Sequence, residues 1–282
     1  MNVVDKLVGL IRETSSSLPE DVLKALKAAQ RKKRKGSSAA VVLKTILDNC
    51  AIAAKRGTPL CQDTGTLTFF VDERLRRKVT PAVIRKAVAS ATEKGYLRKN
   101  TIDSITGKSY DDNVCEGAPV IHYCDRRGVT LVMKGGGSEN MSRQYSLPDA
   151  PLGAGRDLEG VRKCILDAVQ KIQGYGCAPG ILGVCIGGDR ATGFEVAKEQ
   201  LLRPLDESKG RGKREEGRGE ILKLEKRLLK EANGLGIGPM GLGGKTTLLG
   251  VKIAARSRVP ASFFVTIAYM CWACRRRTVC VE

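Results

Sequence analysis

Ten cysteines and a single histidine are what this chain of 282 residues offers for reactive chemistry, and three of the cysteines stand where regular elements end. Cys61 opens Cys61-Gln62-Asp63-Thr64-Gly65-Thr66 just after Pro59. Cys177 precedes Ala178-Pro179 and an apolar run closing on Gly187-Gly188, and Cys271 closes a β-rich run. Side chains at element ends can converge, and three separated thiolates can hold an iron-sulfur cluster without any local pattern. Spacing alone leaves that chemistry open. Cys50, on an apolar helical face, and Cys164, inside a helical segment, read instead as small buried residues. Cys271 and Cys274 form one C-x-x-C, but zinc needs a second pair or histidines, and His122 sits in a strand-like run. A serine or cysteine hydrolase would rest on His122 alone, with no nucleophile elbow beside it.

Glycine is concentrated at Gly135–Gly137, at Gly187–Gly188 and between Gly234 and Gly244. The first run ends a strand and leads into Ser138, Glu139 and Asn140, all able to make polar contact with something bound there. The last run continues as Lys245-Thr246-Thr247 and mimics a phosphate-binding loop, yet that motif needs glycine where Pro239 stands. A dinucleotide site fails as well, because these glycines follow a helix instead of opening one after a strand.

The elements that must position these residues show in the periodicity. Ala39, Val42, Leu43, Ile46, Leu47, Cys50 and Ala54 recur at three and four residues, which predicts a helix from Ser38 to Lys55, stopped by Gly57 and Pro59. Shorter amphipathic segments precede it. Thr66–Val71 reads as a strand and Pro81–Glu93 as a helix. Val120–Cys124 and Val129–Met133, joined by Asp125-Arg126-Arg127-Gly128, read as a hairpin. Further on come helices over Leu158–Ile172, Ala191–Leu202 and Glu215–Ala232, and strands over Ile181–Ile186, Leu248–Ile253 and Ser262–Met270. Helix and strand mixed without strict alternation predict an α/β (mixed α+β) fold, with a helical N-terminal part packed on a mixed-sheet core. The expected organisation is N-terminal helices with a basic linker over residues 1–37 and one catalytic domain over residues 38–282.

Charge narrows the partners. A net charge of +19 draws anions of any size, from nucleic acid to a small polycarboxylate. Only 12 residues are aromatic, few for stacking platforms, and no reader motif is recognisable, so nucleic acid is not the expected partner. The basic clusters Arg31–Lys35 and Lys209–Arg218 fall in connections and read as solvated loops. The uncharged stretch Val259–Cys274 is 16 residues with Pro260 near its start, too short to span a membrane. Met1–Lys6 lacks the pattern of a secretion signal, so the expected location is the cytoplasm.

Four stretches, taken together, resemble the alpha subunit of class I, iron-sulfur fumarate hydratase. They are Cys61-Gln62-Asp63-Thr64-Gly65-Thr66, Lys134-Gly135-Gly136-Gly137-Ser138-Glu139-Asn140, Cys177-Ala178-Pro179 with Gly187-Gly188, and Gly236-Ile237-Gly238-Pro239-Met240-Gly241-Leu242-Gly243-Gly244-Lys245-Thr246-Thr247. They occur in order over about Ala39 to Arg275. L-tartrate dehydratase alpha subunits belong to the same superfamily. The resemblance implies a 4Fe-4S cluster held by Cys61, Cys177 and Cys271, with one iron left open as a Lewis acid. It implies that Gln62, Arg98 and Gly137 surround a small dicarboxylate and that Asp63 acts as the acid. The implied reaction is reversible hydration of fumarate to L-malate, with L-tartrate dehydration as the alternative. A basic nucleic-acid-binding protein is the rival from another class.

Two departures qualify the resemblance. Many relatives have Cys-Pro-Pro where this chain has Cys177-Ala178-Pro179. Single-chain members also continue into a second domain carrying the proposed proton-abstracting threonine. Removing a proton beside a carboxylate needs a positioned base, and the matched motifs supply none. The expected partner is therefore a separate beta subunit, two of each chain, with neither nucleic acid nor a membrane involved.

Overall fold

A computed structural model describes residues 2–206 and 218–281. In chain order the elements are α1 (Val3–Ser16), α2 (Glu20–Arg31), α3 (Ser38–Arg56), β1 (Thr66–Asp72), α4 (Pro81–Glu93), β2 (Thr101–Ile102), β3 (Ser109–Tyr110), β4 (Val120–Cys124), β5 (Val129–Lys134) and α5 (Gly136–Asn140). They continue as β6 (Arg143–Ser146), α6 (Leu158–Ile172), β7 (Gly180–Gly187), α7 (Arg190–Gln200), α8 (Arg218–Gly234), β8 (Leu248–Arg256), β9 (Phe264–Met270) and β10 (Arg275–Val279). The fold is the expected mixture of helices and mixed sheets. Among the described residues no helix is long and apolar enough to cross a membrane. The basic cluster at 209–218 lies outside the described residues, apart from the backbone of residue 218.

The chain forms two compact units. The first comprises residues 1–20, 46–136 and 273–282. Its four-stranded sheet runs β10-β5-β1-β4, with α1 and α4 packed together over a core of Leu7, Ile11, Phe69, Ile84, Val88 and Leu131. Pro81 suits the first turn of α4, where its missing N–H has no helical partner, and the Thr80 side chain caps the Val83 amide at 3.3 Å.

The hairpin expected over residues 120–133 does not form. β1 lies between its two strands, parallel to β4 through pairs such as Phe69↔Ile121 and antiparallel to β5 through pairs such as Phe69↔Leu131. The tight loop instead passes the end of β1, where the Asp72 amide donates to the Gly128 carbonyl at 2.9 Å. The physical reason is that β1 is an almost wholly buried strand. Setting it between two others satisfies its backbone groups on both sides, which an edge position would not do.

The second unit comprises residues 21–45 and 137–272. Its sheet order is β6-β9-β7-β8, and the central β7 is buried along its whole length. Leu182, Val184 and Ile186 join a core with Val161, Ile165, Leu224 and Leu228 of α6 and α8. Alternation turns Gly183 to the opposite face, beneath α7, where an added Cβ would stand 2.0 Å from the Ala197 carbonyl oxygen. Asp157 caps α6 through the Gly160 amide at 2.7 Å, and Asp189 forms a capping box with Thr192 at the start of α7.

Candidate active site

In the first unit a pinned loop carries Cys61, Gln62 and Asp63. The Leu60 amide donates to the Ser15 carbonyl at 2.8 Å, and Asn49 Nδ2 donates to the Leu60 carbonyl at 3.0 Å, fixing the chain just before Cys61. Cys61 is half-buried, and its sulfur accepts the Asp63 amide at 3.4 Å. Gly65, at φ +73°, lies so close to β5 that an added Cβ would meet the Lys134 carbonyl oxygen at 2.3 Å. The Asp63 carboxylate lies over Gly135, where an added Cβ would stand 2.6 Å from Oδ2. These two glycines are where the loop 61–66 and the end of β5 come together.

Arg98 is tied to that loop through its backbone. Thr64 Oγ1 donates to the Arg98 carbonyl at 3.1 Å and accepts the Arg98 amide at 2.9 Å. Asn113, fully buried at φ +60°, donates to the same carbonyl at 2.9 Å and to Thr92 Oγ1 at 3.1 Å. Its Oδ1 accepts the amides of Asn100 and Thr101 at 2.9 and 3.1 Å. The Arg98 side chain itself is exposed, as is Gln62. Behind the loop, the fully buried Arg275 donates from Nη2 to the Asp63 carbonyl at 2.8 Å. Its Nε and Nη1 are buried with no partner among the described residues.

The second unit positions Cys177, Cys271 and Gly137. Cys177 is exposed and left-handed, at φ +52°, a conformation costing a non-glycine residue about 1–3 kcal/mol that only surrounding structure can enforce. That structure is the glycine-rich run. The Met240 amide donates to the Ala178 carbonyl at 2.9 Å and the Gly180 amide to the Thr247 carbonyl at 2.9 Å. Asn233 Oδ1 accepts the Thr247 and Leu248 amides at 2.7 and 2.9 Å. The segment that resembles a phosphate loop is thus a brace for Cys177. The Trp272 amide donates to the Cys177 carbonyl at 3.4 Å, joining the Cys177 and Cys271 segments. Ser138, whose place in the sequence predicts a contact with something bound, is buried, and its Oγ accepts the Cys271 amide at 3.2 Å. Glu139 is ion-paired with Lys198 at 2.8 Å. Gly137 is exposed at the start of this segment.

The remaining thiols separate cleanly from these. Burial pushes the Cys50 thiol up to about 11 and the Cys164 thiol up to about 12, so both stay neutral and unreactive near neutrality. His122 is stacked on Phe70 at 5.2 Å, within β4, as its strand-like sequence predicts. The sequence reading missed Thr64, Asn113, Arg275 and Tyr269. Thr64 lies inside a motif with no role assigned to it, while the other three carry no local signal, since their partners are distant in sequence.

Among the described residues no three Cys, His, Asp or Glu side chains form a group able to hold a metal ion directly. The chemistry of the donors nonetheless fits an iron-sulfur group. Cys177 is exposed, Cys61 and Cys271 are half-buried, and a backbone N–H already points at the Cys61 sulfur. Buried donors also stand idle on Arg275 and on Tyr269, whose hydroxyl has no partner among the described residues. Soft thiolate ligands and outer donors of this kind are what such a group requires.

The sequence pattern of the family described as Fumarate hydratase (Fumerase) matches residues 4–280. A provisionally named class I fumarate hydratase of Geobacillus stearothermophilus is 46% identical over 290 residues, covering 99% of this chain but 54% of that relative. A provisionally named L(+)-tartrate dehydratase subunit alpha of Methanocaldococcus jannaschii is 36% identical, covering 98% of this chain and 96% of the relative. The L(+)-tartrate dehydratase subunit alpha of Escherichia coli K12 is 30% identical, over 95% of this chain and 87% of the relative. The chain thus spans about half the length of the Geobacillus protein and nearly all of the archaeal one.

Proposed function

The chain belongs to the family of class I fumarate hydratases and L-tartrate dehydratase alpha subunits, and on that premise we propose that it is the alpha part of an iron-sulfur hydro-lyase. Its reaction is the reversible addition of water to fumarate, giving L-malate. The observation that carries this reading is the pair of hydrogen bonds between Thr64 and Arg98. They tie the Arg98 backbone to the loop that carries Gln62 and Asp63, which supports reading these three residues as ligands of a small dianion.

In the dehydration direction, a base takes the proton from the carbon beside one carboxylate. The bond from the neighbouring carbon to its hydroxyl oxygen breaks, and the hydroxyl leaves as water after receiving a proton. Asp63 is the acid that gives this proton, its carboxyl set over Gly135. The exposed Arg98 guanidinium takes a substrate carboxylate in a planar fork, and Gln62 and the Gly137 backbone direct the rest of the molecule. Cys61, Cys177 and Cys271 would hold a 4Fe-4S group, which when bound would supply Lewis-acid chemistry to the substrate hydroxyl. The +19 charge draws the dianion inward. None of these residues is suited to removing a proton from carbon, and the His122 ring is stacked on Phe70. The base is accordingly expected on a separate beta subunit, in an assembly of two alpha and two beta chains.

Tartrate dehydration is the second reading, favoured by the two relatives named as tartrate dehydratase alpha subunits. The test is anaerobic purification with and without the beta chain, iron and sulfide analysis, and assays with fumarate, L-malate and L-tartrate. Iron with fumarate and malate turnover only in the presence of beta supports the proposal. Preferential turnover of tartrate transfers the site to the second reading. Full activity of this chain alone puts the base within it, and salt-dependent nucleic-acid binding without iron supports the rival class.

A further inference from the structure

Tyr269, in β9, is 1% exposed, and backbone closes around its ring. A Cβ added to Gly180 would stand 2.4 Å from the hydroxyl oxygen, and one added to Gly176 would stand 2.5 Å from Cε1. The hydroxyl has no hydrogen-bond partner among the described residues. A buried hydroxyl left unpaired is costly, and phenylalanine would fill the same space without that cost. Two nearby residues answer the question of what the hydroxyl is for. Tyr269 precedes Cys271 by two positions, the spacing that sets side chains on one face of an extended chain, and the Gly176–Gly180 segment around its ring contains Cys177. Cys271 also packs against the apolar cluster that contains Tyr269. The backbone is braced at the same place, because Ser142 Oγ accepts the Tyr269 amide at 3.3 Å and Ser138 Oγ the Cys271 amide at 3.2 Å.

We propose that the Tyr269 hydroxyl donates a hydrogen bond to a sulfur of the Cys177–Cys271 pair when these are iron-bound thiolates. This makes Tyr269 a positioning residue for the cluster. The inference rests on the reading of these cysteines as cluster ligands. A neutral thiol is a weak acceptor, whereas a thiolate is a strong one, so the donor matters in the ligating state. A hydrogen bond to a ligand sulfur draws electron density away from iron, which raises the reduction potential and protects the thiolate from loss.

The test is Tyr269→Phe, which keeps the ring and removes the oxygen, in the complete enzyme purified anaerobically. Three readouts are compared with wild type: the midpoint potential, the cysteine–iron stretching bands in resonance Raman spectra, and the rate of cluster loss in air. A lowered potential, shifted bands and loss accelerated about tenfold are expected. The metal-free variant should melt no lower than wild type, because an unpaired buried hydroxyl has been removed. Should Tyr269→Phe fold poorly, Tyr269→Leu measured for the same bands serves as the second variant. Equal iron loading with unchanged potential, bands and air sensitivity overturns this inference alone. Wild-type protein that binds no iron overturns it together with the proposed function.

Discussion

The hydroxyl of Thr64 bonds both backbone groups of Arg98, accepting its amide at 2.9 Å and donating to its carbonyl at 3.1 Å across 34 residues of sequence. One buried threonine thus sets the distance between the Asp63 loop and the base of the Arg98 side chain. Thr64→Val keeps the shape and removes both bonds. It should cost about 1–3 kcal/mol in urea denaturation, because a backbone donor and acceptor lose a partner. In steady-state assays KM for the dicarboxylate should rise about tenfold with a smaller fall in kcat, and iron content should stay unchanged. An unaltered KM would detach Arg98 from substrate binding.

Asn113 separates hydrogen bonding from backbone strain at a position 15 residues from Arg98. Asn113→Ala removes bonds to the 98–101 segment and leaves a side chain at φ +60°, whereas Asn113→Gly removes the same bonds and relieves the strain. Chemical denaturation should find the alanine variant less stable than the glycine variant by about 1 kcal/mol. Equal stability would mean that the left-handed conformation carries little cost here.

Gly135 sets the position of the acid. In Gly135→Ala the new Cβ would lie 2.6 Å from Asp63 Oδ2, so the carboxylate must move. A displacement of about 1 Å at a catalytic group can lower the rate about 100-fold, and kcat should fall by roughly that factor with KM little changed. A variant with full kcat would remove Asp63 from the role of acid.

Cys164 gives a prediction about stability that is independent of catalysis. Burial, followed by the nearby Asp149 and Asp167 carboxylates, pushes its thiol up to about 12, while an unfolded chain ionises it near the ordinary value of 9.0. The folded state therefore keeps a proton that the unfolded state releases. This contribution is complete below pH 9 and is lost as pH rises toward 12. Over that window the stability of wild type should fall faster than that of Cys164→Ala by about 1.4 kcal/mol per pH unit. Parallel alkaline limbs in denaturant titrations at several pH values would contradict it.

Local sequence carried the elements and the identity of the reactive groups. The helix predicted over Pro81–Glu93 is α4 and the one over Leu158–Ile172 is α6, both residue for residue, because caps and apolar spacing act within a few positions. The burial of Cys50 and Cys164 is legible in the same way, from the place of one on an apolar helical face and of the other within a helix. Tertiary structure decided what passes between distant segments. β1 enters between β4 and β5 because both edges of a buried strand must be paired, and no property of residues 120–133 announces an intruder from residues 66–72. The glycines of 236–244 resemble a ligand loop in sequence, yet their segment braces Cys177, since the Ala178 carbonyl that takes the Met240 amide is 62 positions away. Thr64, Asn113 and Tyr269 gain their roles only once chain closure brings Arg98, Thr92 and Cys177 beside them. Hydrogen bonds of this kind depend on where the backbone returns, which periodicity over a few residues cannot encode.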